Sequence, residues 1–133
     1  MHDEPVRVLL VDDEAGFTDV LTKRMGRRGF AVVSADSGTK AIQILRKEDF
    51  DVVVLDLKME EMDGIEILQV IRKMIPGLPV IMLTGHGSET AARDGLRYGA
   101  YDYLLKPCDL EELVHKLRKA AASSMQEKTN RTD

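Results

Sequence analysis

Residues 51–64 read Asp-Val-Val-Val-Leu-Asp-Leu-Lys-Met-Glu-Glu-Met-Asp-Gly. The apolar run Val52 to Leu55 is strand-sized, and it is continuous rather than alternating, as in strands covered on both faces. Asp56 closes the run, and a carboxylate ends a buried strand badly unless something pairs with it. Further on, Asp63 with Glu66 three residues later is a helix-start signature, and Ile67, Leu68 and Ile71 follow at helical spacing. The stretch is thus a buried strand, an acidic loop and an amphipathic helix.

Comparable apolar runs recur at Val8 to Val11, Ala31 to Val33, Val80 to Leu83 and, more weakly, Tyr101 to Leu105. Helical periods separate or follow them: Phe17, Val20, Leu21 and Met25; Ala41, Ile44 and Leu45; Leu110, Leu113, Val114 and Leu117. Ser37, Ser88, and Asp109 with Glu112 mark helix starts, and Gly29 and Gly99 stand where helices should stop. Alternating strand–helix units of this kind build a doubly wound α/β sheet.

With 133 residues the chain has the length of one domain. We expect that domain to occupy residues 1–122, with 123–133, which lose the apolar period, as a polar tail or linker stub. Hydrophobic residues at 44% and charged residues at 32% suit a globular protein with a real core. Nineteen basic against 23 acidic residues leave a net charge of -4, so no basic field exists to hold nucleic acid directly. The single cysteine, Cys108, excludes an intrachain disulfide and a CxxC metal cluster and fits a reducing compartment. The apolar runs are too short to span a membrane, and the start Met1-His2-Asp3-Glu4-Pro5 is acidic where a secretory signal is basic, so the expected location is cytoplasmic.

Residues able to do chemistry collect at the carboxyl ends of the strands: Asp12 and Asp13, Asp56, Thr84 and Lys106. Ligands of open α/β sheets bind outside those ends. Taken singly, the acidic pair reads equally well as a helix cap, Thr84 as a strand residue and Lys106 as a snorkelling surface lysine. Their joint placement favours a site. Two like charges about 4 Å apart repel by roughly 4 kcal/mol at an effective dielectric near 20. One lysine cannot neutralise three carboxylates, so either a proton is retained or a cation is bound. Oxygen donors without histidine or cysteine favour Mg²⁺ completed by water and phosphate oxygens. A carboxylate can attack phosphorus to form an acyl phosphate while an ammonium and a hydroxyl hold the phosphoryl oxygens, and Asp56, Lys106 and Thr84 supply those parts.

The acidic pair Asp12-Asp13, Asp56-Leu57-Lys58-Met59 leading to Met62-Asp63-Gly64, Leu83-Thr84-Gly85, Gly99-Ala100-Tyr101-Asp102-Tyr103-Leu104 and Lys106-Pro107 together resemble the receiver domain of bacterial two-component response regulators, from Val6 to about Ala122. The resemblance implies a flavodoxin-like parallel sheet of five strands in the order 2-1-3-4-5, flanked by five helices, the first and last on one face. It makes Asp56 the acceptor of a phosphoryl group from a phosphohistidine of a sensor histidine kinase. Asp13, Asp56 and the backbone carbonyl of Lys58 would ligate Mg²⁺, with Asp12 acting mostly through water. Lys106 would pair with the phosphoryl oxygens, Thr84 would bond them on activation, Tyr103 would turn inward, and the Lys106-Pro107 peptide would be cis. The switched surface would be the fourth helix, fifth strand and fifth helix, read by an output domain or downstream protein, with phosphorylation-dependent homodimerisation a further expectation.

Glu60 replaces a proline common in such loops and, with Glu61, adds charge that either favours Mg²⁺ or repels phosphate. Cys108 stands where phenylalanine is common and reads as a small core residue; Lys58 and His86 stand where the family tunes phosphoryl lifetime. The expected role is a signalling switch with weak self-catalysed phosphorylation and dephosphorylation rather than a metabolic enzyme. Two rivals are a constitutive scaffold, which the full set of site residues disfavours, and an aspartyl-nucleophile phosphohydrolase, which would usually need an acid where Lys58 stands. A stand-alone regulator and a receiver cut from a longer protein with a DNA-binding or ATPase output both fit.

Overall fold

The computed structural model describes residues 4–59, 63–85 and 89–131, with the side chains of 89 and 125–131 left aside. Strands and helices alternate: β1 (Val6–Val11), α1 (Ala15–Arg27), β2 (Phe30–Ala35), α2 (Gly38–Lys47), β3 (Val52–Asp56), α3 (Gly64–Met74), β4 (Val80–Thr84), α4 (Glu89–Arg97), β5 (Asp102–Leu105) and α5 (Leu110–Arg131). The five strands form one parallel sheet in the order β2-β1-β3-β4-β5. Fold class, strand order and element count therefore match the expectation.

Strand geometry sends successive side chains to opposite faces, and the continuous apolar runs fill both. Val8, Leu10, Val52, Val54, Ile81 and Leu83 meet Leu21 and Met25 of α1 and Leu113, Val114 and Leu117 of α5. On the other face Leu9, Val11, Val53, Leu55, Val80 and Met82 meet Ala41 and Leu45 of α2, Ile67, Leu68 and Ile71 of α3, and Ala92 of α4. Every residue of β3 and β4 is buried, whereas the edge strands β2 and β5 are partly open. The most buried strands are the two whose ends carry Asp56 and Thr84.

Local signals act largely as read. The Ser37 hydroxyl accepts the Lys40 amide at the start of α2, and the Asp63 carboxylate accepts the Ile65 amide at the start of α3. Gly29 and Gly99 take φ of 91° and 102° after α1 and α4, values that penalise any side chain. The Lys106-Pro107 peptide is cis. Ser88, Glu60, Glu61, Met62, His86 and His2 lie outside the described residues.

The last helix runs beyond its apolar period. The apolar period fades after Ala122, yet α5 continues to Arg131 with Ser124 buried. Neither glycine nor proline interrupts 110–131, and residues such as Met, Gln, Glu and Lys propagate a helix without an apolar face. Among the described residues no helix is long and apolar enough to cross a membrane.

Candidate functional site

The parallel sheet aligns the ends of β1, β3, β4 and β5. Val11 pairs with Leu55, Asp56 with Leu83, and Thr84 with Leu105, so the residues that end or follow these strands share one rim. Asp12 still bonds the neighbouring strand, its amide donating to the Ala35 carbonyl at 3.0 Å. Its side chain therefore leaves the sheet from a fixed backbone.

Ligating oxygens of Asp12, Asp13 and Asp56 lie within 4.8 Å of one another, with Asp12 and Asp56 buried and Asp13 exposed. Both oxygens of Asp12 are engaged: Oδ1 accepts the Glu14 amide at 2.9 Å and Oδ2 the Lys106 ammonium at 2.8 Å. The capping role considered for the acidic pair is thus partly real, since Asp12 turns the chain into α1. The N-cap itself is Glu14, whose side chain caps nothing.

Asp56 is 3% exposed. Its Oδ1 accepts the Lys58 amide at 3.2 Å, and its Oδ2 faces the Lys106 ammonium at 3.4 Å. Burial pushes its carboxyl up to about 6, with the charge of Asp12 adding to the rise, while the Lys58 amide and Lys106 pull against it. For Lys106, burial disfavours the charge, but hydrogen bonds to Asp12 and Glu14 and the field of Asp56 outweigh it and hold the ammonium above the ordinary lysine range.

Lys58 and Asp63 form an isolated antiparallel bridge that closes the loop after β3. Gly64 makes the closure feasible, because a Cβ there would lie 2.8 Å from the Leu57 Cα. Thr84 is fully buried, and among the described residues its hydroxyl donates to the Gly85 carbonyl at 3.4 Å. Tyr103 is half-buried and packs on the α2–α3–α4 side of the sheet, the same side as Met82 and hence, by strand alternation, as Thr84.

The structure thus gathers Asp12, Asp13, Asp56, Lys58, Thr84 and Lys106 on one rim, with Tyr103 beside it on β5. Sequence reading missed two participants. Glu14 pairs with Lys106 at 3.0 Å, and the Phe17 ring lies 4.5 Å from the same ammonium. Their signal is an acid and an aromatic three apart directly after the acidic pair, which gives no hint that the distant Lys106 faces them. Cys108 is half-buried against the α1–α5 side of the core, and burial raises its thiol pKa, as expected of a packed residue.

Among the described residues three carboxylates surround the Lys106 ammonium and Asp13 lies beside two of them, so acidic groups crowd this cation. A metal-ligating set made of oxygen donors alone, with few protein ligands, fits a hard divalent cation that retains water and accepts phosphate oxygens. The same rim offers a nucleophilic carboxylate, an ammonium and a hydroxyl, the parts needed for phosphoryl transfer.

Residues 8–118 match the family model of the response regulator receiver domain. The transcriptional regulatory protein GlrR of Escherichia coli (strain K12) is 39% identical over 93% of this chain and 28% of its own length. The probable transcriptional regulatory protein TcrX of Mycobacterium tuberculosis is 37% identical over 86% of the chain and 49% of its own length. Among solved structures, the receiver domain of NtrX from Brucella abortus superposes with a TM-score of 0.83 at 30% identity, covering 86% of this chain and 98% of that one. The chain spans less than half the length of these curated relatives.

Proposed function

The chain belongs to the response regulator receiver domain family, and on that premise we propose that Asp56 is its phosphoacceptor and that the rim around it performs the transfer. The observation that carries this reading is the placement of Asp56: a buried carboxylate at the end of a central strand, one oxygen held by a backbone amide and the other facing Lys106.

In the proposed reaction a carboxylate oxygen of Asp56 attacks the phosphorus of a phosphohistidine on a sensor histidine kinase. The new bond is P–O, the P–N bond breaks, and its electron pair leaves on the imidazole. Asp12, Asp13, Asp56 and the Lys58 carbonyl would hold Mg²⁺, which when bound supplies positive charge to the ionised carboxylates and the transferring group. Lys106 supplies a second positive charge to the phosphoryl oxygens from the position it already holds beside Asp56. The buried Thr84 hydroxyl, poorly satisfied at 3.4 Å, exchanges that weak contact for a phosphoryl oxygen. In this reading self-catalysed transfer and hydrolysis are weak, and the domain acts as a signalling switch rather than a metabolic enzyme.

Movement of Thr84 frees space on the side of β4 where Tyr103 packs, and Tyr103 turns inward to fill it. The face of α4, β5 and α5 carries the result. Leu96, Tyr98 and Leu105 are exposed there, and Lys116 ties α5 to β5 through Asp102 at 3.0 Å and the Tyr103 carbonyl at 3.1 Å. This face signals to an output domain or downstream protein, or to a second phosphorylated copy. The transcriptional relatives favour a transcriptional output, and in this reading DNA contacts are made outside this acidic domain, which occupies residues 1–122 and works in the cytoplasm.

The test is incubation with Mg²⁺ and a small-molecule phosphodonor, followed by intact-mass spectrometry. One added phosphoryl group is expected on the wild type and none on Asp56→Ala. Labelling that survives the substitution overturns the assignment.

A further inference from the structure

We propose that the first turn of α1 positions Lys106: the Glu14 carboxylate and the Phe17 ring hold its ammonium toward Asp56 when the other site carboxylates are drawn to a cation. The inference rests on the phosphoacceptor reading of Asp56 and assigns roles to two residues outside it.

The ammonium has three N–H donors. Three carboxylates surround it, Asp12 at 2.8 Å, Glu14 at 3.0 Å and Asp56 at 3.4 Å, and the Phe17 ring covers it at 4.5 Å. Asp12 and Asp56 belong to the acidic cluster able to share a metal, whereas Glu14 does not. A cation bound by that cluster competes with Lys106 for Asp12 and Asp56. The Glu14 carboxylate is outside the competition and keeps its hold.

Glu14 and Phe17 are three residues apart at the start of α1, so they project from one side of the helix toward the same point. Without them the lysine head, on a flexible four-carbon stem, would be restrained chiefly by groups about to be recruited elsewhere. The Lys106 side chain is 16% exposed, so water offers little alternative anchoring, while that of Glu14 is 63% exposed and can be replaced without opening the core. Glu14 touches neither Asp56 nor the incoming phosphorus; it acts through Lys106 and is a positioning residue.

The test uses the full chain at saturating Mg²⁺ with acetyl phosphate as donor, comparing wild type, Glu14→Ala, Glu14→Gln and Phe17→Leu. Initial phosphorylation rates are measured across donor concentrations. In Glu14→Ala the maximal rate is expected to fall about fivefold, with the half-saturating donor concentration changed less than about twofold. Glu14→Gln, whose amide oxygen still accepts the ammonium, should retain roughly half or more of the rate. Phe17→Leu should lose about twofold.

Nitrogen NMR of lysine-labelled protein gives a second reading without any donor. The Lys106 ammonium signal should shift on adding Mg²⁺ far more in Glu14→Ala than in wild type. A Glu14→Ala rate equal to or above wild type, or Lys106 signals that respond identically, overturns the positioning role. A wild type that takes up no phosphate overturns the phosphoacceptor reading instead, and the Lys106 signal then still decides whether Glu14 anchors the ammonium.

Discussion

At the amino rim of the sheet Arg7 pairs with Glu48 at 2.7 Å and lies over the Phe50 ring, its amide bonded to Asp51 at 2.8 Å. At the carboxyl rim Lys106 serves Asp12, Asp56 and Glu14 together. The side chains of the first ion pair are 40% and 44% exposed; those of Asp12 and Asp56 are 0% and 4% exposed. Water screens the exposed Arg7–Glu48 pair at the amino rim, and such a pair is worth at most about 1 kcal/mol. The carboxyl rim concentrates unbalanced charge in a drier setting, where each uncompensated group is costly. The difference marks the carboxyl rim as the place where the proposed cation and phosphoryl group would meet a charge deficit, while the amino rim holds a solvent-screened pair.

Removing the cation at each rim should break the symmetry most visibly. Lys106→Met leaves Asp12 and Asp56 buried beside each other, and the metal-free protein should lose about 3 kcal/mol in urea denaturation, the scale of breaking a buried pair. Arg7→Met, losing an exposed pair and a ring contact, should cost about 1 kcal/mol. Equal losses at the two rims would mean that the carboxyl rim is better solvated than its geometry indicates.

The Asp56 carboxyl is raised from 3.8 to about 6 in the folded protein, so between those values the native state binds more protons than the unfolded state. Stability from this group is therefore full below about pH 4, falls as pH rises toward 6, and stays low above it. Asp56→Asn should accordingly stabilise the metal-free protein by about 2 kcal/mol at pH 8, with the gain vanishing near pH 4. Glu48→Gln at the amino rim should do nothing comparable. A gain for Asp56→Asn that is independent of pH would point to packing rather than charge.

The contrast between the rims also marks what the sequence discloses. Val52 to Leu55, with its companions, announces a sheet buried on both faces, and Asp12, Asp13, Asp56, Thr84 and Lys106 can be placed on one rim because each ends or follows a strand. Register then brings them together without further information. Glu14 and Phe17 lie beyond that logic: they sit on a helix, and only the packing of α1 against the segment after β5 sets them toward Lys106. The extension of α5 to Arg131 was hidden for a different reason, because residues there favour a helix by propensity while carrying no apolar period to reveal it.

The smallest effect sharpens the comparison by adding the missing charge instead of removing what is present. A ligand that binds only the folded state stabilises it by RT ln(1 + [L]/Kd), about 1.4 kcal/mol at ten times Kd. Mg²⁺ should raise stability by that amount and continue to rise with the logarithm of its concentration. Asp13 is the exposed member of the cluster, and Asp13→Asn should flatten the Mg²⁺ response. Arg7→Met should leave that response unchanged, since its rim is at the opposite end of the same strands. Equal Mg²⁺ stabilisation of wild type and Asp13→Asn would show nonspecific screening rather than a site, and the charge deficit would then have to be met by a retained proton on Asp56.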